Sequence, residues 1–245
     1  MNEGKSEQLL AGGGVLSHTP LFVAAAHELK SPLALVRQLS LALEAGDCSP
    51  DEIETLARQI TLTSERALRL TADLTRTSRL EDGLFTLEPI NPISLCEEVA
   101  FELSPLYRAK GRKIMVNRRS RPLLGLANRD LLRRILLNFA DNALHYAEGD
   151  APVVITASSH DNGTRIRLGV RDYGPAIPTK IWRQLESSLG NRAQPLHSRP
   201  ESSGLGIYIA HQFAEAMNAS IGTTRHRDGA TFYVDISAST QMRLF

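Results

Sequence analysis

The chain has 245 residues, 42% of them hydrophobic, enough for one large domain or two modest ones, each with its own core. Its 28 Lys and Arg nearly balance its 27 Asp and Glu, so bulk charge gives no push toward nucleic acid or an anionic membrane. No apolar run reaches bilayer-spanning length, no signal-peptide profile opens the chain, and Cys48 and Cys96 sit in no metal-ligand pattern and read as reduced thiols of a cytosolic protein.

Residues 1–17 are polar and then Gly-rich, and read as a flexible segment or linker. Thr19-Pro20 reads as a helix start. From there Phe22, Ala26, Leu29, Leu33, Val36, Ser40 and Leu43 repeat at 4,3 spacing, a heptad seam, with Leu35, Leu39, Leu41 and Ala42 broadening the apolar face. Ser49, Pro50 and Glu52 form a capping box for a second helix with the seam Ile53, Leu56, Ile60, Thr63, Ala67, Leu70, Leu74 and Thr77. Two long helices on a short loop predict an antiparallel hairpin over 18–80. Its excess apolar surface predicts a dimeric four-helix bundle. His27 follows a seam position and so falls at the bundle rim, with Glu28 beside it and Pro32 expected to kink the helix.

Residues 81–90 lose the heptad and read as a linker. A second unit, 91–240, mixes helices and strands. Asn91-Pro92 caps a helix to about Tyr107, and Asn128 or Asp130 starts another to Tyr146. A third helix covers 204–217. Strands are predicted at 112–118, 122–127, 152–159, 164–171, 220–226 and 230–237, with Asp161-Asn162-Gly163 as a hairpin turn. This order predicts an α+β sandwich, its antiparallel-rich sheet covered by helices on one face.

Three stretches of this unit can carry chemistry. Asn138 and Asn142 are one turn apart on one helix, where amide oxygens suit a hard cation such as Mg²⁺; two polar groups on a solvent face would look the same. Asp172-Tyr173-Gly174 ends a strand and can fix a carboxylate for an exocyclic amine, although strands commonly end in such turns. Gly204-Leu205-Gly206 leads into an apolar helix, a phosphate-suited start that is also an ordinary one.

In combination and in this order, the motifs resemble the cytoplasmic core of a bacterial two-component sensor histidine kinase over roughly residues 18–237. His27 to Pro32 is similar to the family's H box, Asn138 to Tyr146 to its N box, Asp172 to Gly174 to G1, Gly204 to Gly206 to G2, and Gly229-Ala230-Thr231-Phe232 to the closing Gly-Thr element. The resemblance implies a phosphotransfer hairpin followed by an α/β sandwich of the Bergerat ATP-binding type. It implies an ATP- and Mg²⁺-dependent histidine autokinase with His27 as phosphoacceptor, Glu28 handling its proton, and a receiver-domain aspartate of a response regulator as the next acceptor. By the same resemblance Asn142 ligates Mg²⁺, Asn138 and His145 attend the phosphates, Asp172 takes the adenine amine, and Tyr146 and Gly174 lie at the base. Gly204, Leu205, Gly206 and Thr231 complete the nucleotide site, 183–203 is the lid, and Ser31 stands where the family orients water for dephosphorylation. The implied protein is a homodimer in the cytoplasm, complete or as the soluble part of a membrane-anchored kinase. No nucleic acid and no membrane contact is expected in the chain as given. The alternatives are a nucleotide-binding dimerisation or regulatory module with little kinase activity, and a serine kinase of the anti-sigma type. Arg108 to Arg121, rich in basic residues, reads as a solvated strand pair.

Overall fold

The hairpin is two helices, α1 (Thr19–Glu44) and α2 (Pro50–Thr77), in a computed structural model that describes residues 19–77, 80, 85–117, 124–176, 178–179, 182–183 and 205–240. Gly46, at φ 78°, ends α1 with its N–H on the Leu43 carbonyl. The expected capping box opens α2: the Ser49 N–H donates to Glu52 Oε2 at 2.8 Å and the Glu52 N–H to Ser49 Oγ at 3.4 Å. Helix α1 runs on through Pro32.

On α2 the least exposed apolar residues follow the predicted seam through Leu56, Ile60, Ala67, Leu70 and Leu74. On α1 the strip differs. Ala25, Leu29, Pro32, Val36, Leu39 and Leu43 are buried or half-buried along it, with Ala24 and Glu28 half-buried at its flank near the start, while Ala26, Leu33 and Ser40 are exposed. So many α1 positions are apolar that two overlapping 4,3 strips exist, and packing selects the one that starts at Ala25. His27 follows Ala25 by two residues and therefore lies roughly 200° around the helix from this strip. It is exposed, farther from the seam than the predicted rim.

The second unit is a mixed seven-stranded sheet in the order β1-β3-β7-β5-β4-β2, with β6 also on β7. The strands are β1 (Glu88–Ile90), β2 (Ile114–Asn117), β3 (Gly125–Ala127), β4 (Val153–His160), β5 (Arg165–Arg171), β6 (Ser220–His226) and β7 (Gly229–Ala238). Among the described strand pairs only β2–β4 is parallel. The last three residues of the predicted 81–90 linker are strand β1, paired with β3, and Pro89 is tolerated because β1 is an edge. The β4–β5 turn places Asp161, Asn162 and Gly163 all at positive φ, as a tight hairpin needs.

Helices α3 (Pro92–Ala109), α4 (Arg129–Tyr146) and α5 (Leu205–Ala216) supply the rest of the core. Alternation sends Val153, Ile155 and Ala157 of β4, Ile166, Leu168 and Val170 of β5, and Phe232, Val234 and Ile236 of β7 into it. Leu103, Ile135, Leu136, Phe139, Ile209 and Phe213 meet them from the helices. The opposite sheet face is polar: Arg167 holds Asp235 with two bonds of 2.7 Å and covers the Tyr233 ring. The hairpin joins this unit through Ala25, which belongs to the core cluster, and through Leu70 and Leu74, which pack against it. Two ion pairs also tie α2 to α4, Arg76–Asp130 and Asp73–Arg134, each at 3.4 Å.

Candidate nucleotide site

Helix α4 starts where Asn128 accepts from the Leu131 N–H, and it buries Leu132, Ile135, Leu136, Phe139, Ala140 and Ala143 against the sheet. That apolar stripe fixes the rotation of the helix and leaves Asn138 and Asn142 half-buried along its flank. The Nδ2 atoms of both are buried without a hydrogen-bond partner. A Cβ on Gly206, in the first turn of α5, would stand 3.9 Å from the Asn138 side chain, so the predicted N and G2 elements meet here.

The carboxylate comes from the sheet. Asp172 follows β5, is 4% exposed, and accepts from the Ala230 N–H at 3.1 Å through Oδ1. Burial pushes its carboxyl above the usual range, opposed by the Ala230 N–H and by Arg171. Gly229 has φ 127°, and a Cβ there would lie 2.5 Å from both the Asp172 carbonyl and its Oδ1. Gly229 and Ala230 are thus the residues that seat Asp172. Arg171 reaches the Asp172 carbonyl, pairs with Asp228 at 2.5 Å and covers the Tyr173 ring. Gly174 packs where a Cβ would meet the Tyr146 carbonyl at 2.3 Å. Its missing side chain here admits Tyr146 backbone, which draws the end of α4 onto the loop after β5.

Two predicted residues stand differently from expectation. The Thr231 hydroxyl shares a 2.9 Å hydrogen bond with His226 Nε2. Strand alternation puts it on the face opposite Ala230 and Phe232, away from Asp172, because Ala230 occupies the inward position of the Gly-Thr element. Leu205 is fully buried, so its side chain anchors α5 in the core and offers nothing polar to a nucleotide. Gly204 and the lid stretch 184–203 lie outside the described residues. His145 keeps an exposed edge, yet desolvation, then Arg66 and Lys110, push its imidazole down to about 3, which leaves it neutral at pH 7. His27 and Ser31 are exposed on α1, within two turns of Ala25, the α1 residue that enters the core cluster; Glu28 is half-buried.

A buried carboxylate, two flank amides on one helix and a glycine at the adjoining helix start form a donor and acceptor set for a purine and its phosphates. The profile of the histidine kinase-, DNA gyrase B-, and HSP90-like ATPases matches residues 127–240, the span that contains all of them. Residues 127–240 are an ATPase domain of this shared type. The chain resembles sensor histidine kinases beyond that domain. It is 28% identical over 228 residues to the sensor protein KdpD of Mycobacterium tuberculosis (strain ATCC 25618 / H37Rv), covering 89% of this chain and 26% of KdpD. It is 27% identical over 233 residues to the histidine protein kinase SaeS of Staphylococcus aureus (strain NCTC 8325 / PS 47), covering 94% of this chain and 64% of SaeS. The chain therefore spans about a quarter of KdpD and under two thirds of SaeS. Among solved structures, full-length ShkA in complex with AMPPNP superposes with TM-score 0.58 at 25% identity, over 91% of this chain and 47% of that one. Histidine kinase ThkA in complex with response regulator protein TrrA shares the fold at TM-score 0.57 and 20% identity, over 91% and 62%.

Gly229 and Ala230 enter the sequence reading only as part of the Gly-Thr element, with no role of their own, and the α2 residues that face α4 do not enter it. Arg66, Arg69, Asp73 and Arg76 recur at 3,4,3 spacing, a polar stripe readable beside the apolar one.

Proposed function

We propose that the chain is an ATP-dependent protein histidine autokinase that phosphorylates His27 and passes the phosphoryl group to an aspartate of a response-regulator receiver domain. The observation that carries it is Asp172, a buried carboxylate held by the Ala230 N–H through Oδ1 at the end of its strand, which in this reading accepts an adenine amine. Tyr146 would pack beside the base, and Asn138 with Gly206 would attend the phosphates. Asn142 would hold Mg²⁺ through its amide oxygen, a donor that suits a cation bound largely by phosphate and water. Such a cation neutralises charge on the phosphates.

The chain's own part in transfer is local. Glu28 holds the proton of one imidazole nitrogen of His27, so the other nitrogen can attack the γ-phosphorus. An N–P bond forms, the P–O bond to ADP breaks, and the proton passes to Glu28. Exposure of His27 on α1 supports access for both the ATPase domain and a receiver domain. Ser31, also exposed and one turn on, is the residue to orient water for the reverse reaction. The unpartnered apolar side chains Val23, Leu33, Leu35, Leu41, Ile53 and Leu68 support pairing of two hairpins as a four-helix bundle.

The test is incubation with γ-labelled ATP and Mg²⁺, followed by acid or base. The reading expects label that acid removes and base leaves. Acid-stable label on serine would point to the other kinase chemistry, and ATP binding with no label to the nucleotide-sensing module.

A further inference from the structure

We propose that the hairpin completes the phosphate end of the nucleotide site: Arg69 of α2, with Arg66 a turn away, supplies guanidinium donors to the β- and γ-phosphates of an ATP held by Asn138 and Asn142. This rests on reading those residues and Asp172 as an ATP site.

The placement follows from the two ion pairs. Arg76 meets Asp130 and Asp73 meets Arg134, so α2 and α4 run antiparallel side by side in that register. Continuing along the same faces, by three and four residues, brings Arg69 level with Asn138 and Arg66 level with Asp141 and His145. The electrostatics agree: Arg66 and Arg69 are the strongest counter-charges on Asp141, and Arg66 acts on His145.

The hydrogen-bond balance of the seam then points to an anion. Among the described residues the buried side-chain atoms without a hydrogen-bond partner are Arg69 Nε, Asp73 Oδ1, Arg134 Nη1, Asn138 Nδ2, Asn142 Nδ2 and His211 Nδ1. Asp73 and Arg134 lie across this seam, Arg69 is one turn along α2, and Asn138 and Asn142 stand on the flank of α4 from that level onward. Asp73 and Arg134 face each other. What remains without a hydrogen-bond partner is three donors, Arg69 Nε and the two amides, while the fixed anions near them, Asp141 and Asp73, already act on Arg69 as counter-charges without taking its Nε proton. Buried donors left unmade are costly, and a phosphate chain offers several anionic acceptors spaced along a few bonds. Arginine is the side chain whose planar fork matches them. ATP affinity would then depend on docking of the ATPase domain against its own hairpin.

The experiment uses the full chain with Mg²⁺ and titrates ATP and AMP against wild type, Arg69→Gln, Arg69→Lys, Arg66→Gln and Asp172→Asn, with unfolding temperatures without nucleotide as a check on folding. Arg69→Gln should weaken ATP by roughly tenfold and leave AMP within about twofold. Arg69→Lys should recover part of the loss, and Arg66→Gln should shift the ATP-to-AMP ratio the same way. An unchanged ratio in both glutamine variants overturns the proposal and leaves the arginines as seam residues bridged by water. Asp172→Asn should weaken ATP and AMP alike; if it changes neither, the ATP-site reading itself has failed and this inference falls with it.

Discussion

Gly229 of the Gly-Thr element is the residue that seats the Asp172 carboxylate. Its φ of 127° and the 2.5 Å approach of Asp172 leave no room for a Cβ. Gly229→Ala should cost about 1–3 kcal/mol in urea unfolding and weaken ATP binding, because Asp172 must move. The neighbouring carboxylate adds a pH dependence. In the proposed site Asp172 must be ionised to accept the adenine amine, and burial holds its pKa above the ordinary 3.8. ATP affinity, followed by calorimetry, should therefore fall as pH drops through that raised value, sooner than an exposed aspartate would titrate. Asp172 was legible in the sequence because an Asp and a glycine turn end an obvious strand. Gly229 was legible as part of the Gly-Thr element, but its role against Asp172 was not, since that arises from a contact with a residue far away in the chain, and neither was the outward turn of Thr231, which depends on strand register.

At the scale of elements, α2 and α4 were read correctly as helices, while their mutual contact was hidden. Heptad counting identified the apolar strip of α2; on α1 it chose Ala26 and Leu33 where packing uses Ala25 and Pro32, because a nearly all-apolar helix carries two strips of equal quality. The polar stripe of α2 gains meaning only opposite α4. Asp73 is 3% exposed there, and burial, opposed first by Arg134, lifts its carboxyl from 3.8 to about 6. The folded state then holds a proton that the unfolded chain releases between about pH 4 and 6. Stability from this site is full below about pH 4 and is lost as pH rises through 6. Asp73→Asn removes that loss. The stability difference between variant and wild type, measured by urea unfolding, should grow by about 3 kcal/mol from pH 4 to above pH 6 and then stay level. A difference independent of pH would place Asp73 in an ordinary solvated environment.

For the whole molecule, the two hairpin helices and nearly all strands were legible, because each carries a period, 3.5 in the hairpin and 2 in the sheet. The pattern misplaced the junction of the two units: residues 88–90 look like linker and close the sheet edge, since a three-residue strand containing Pro89 has no period to read. The apolar surface left on the hairpin, with Leu33 at 59% and Leu68 at 69% exposed, belongs to this scale. Replacing both with Glu should shift the protein to monomer in sedimentation, with the ATPase domain still folded by circular dichroism. In the proposed function the two units meet in one reaction, and the most direct test is phosphate incorporation from γ-labelled ATP alongside ATP binding in two variants. His27→Ala should bind ATP as wild type does and take up no acid-labile label, while Asp172→Asn should lose both. Full acid-labile labelling of His27→Ala would contradict the account.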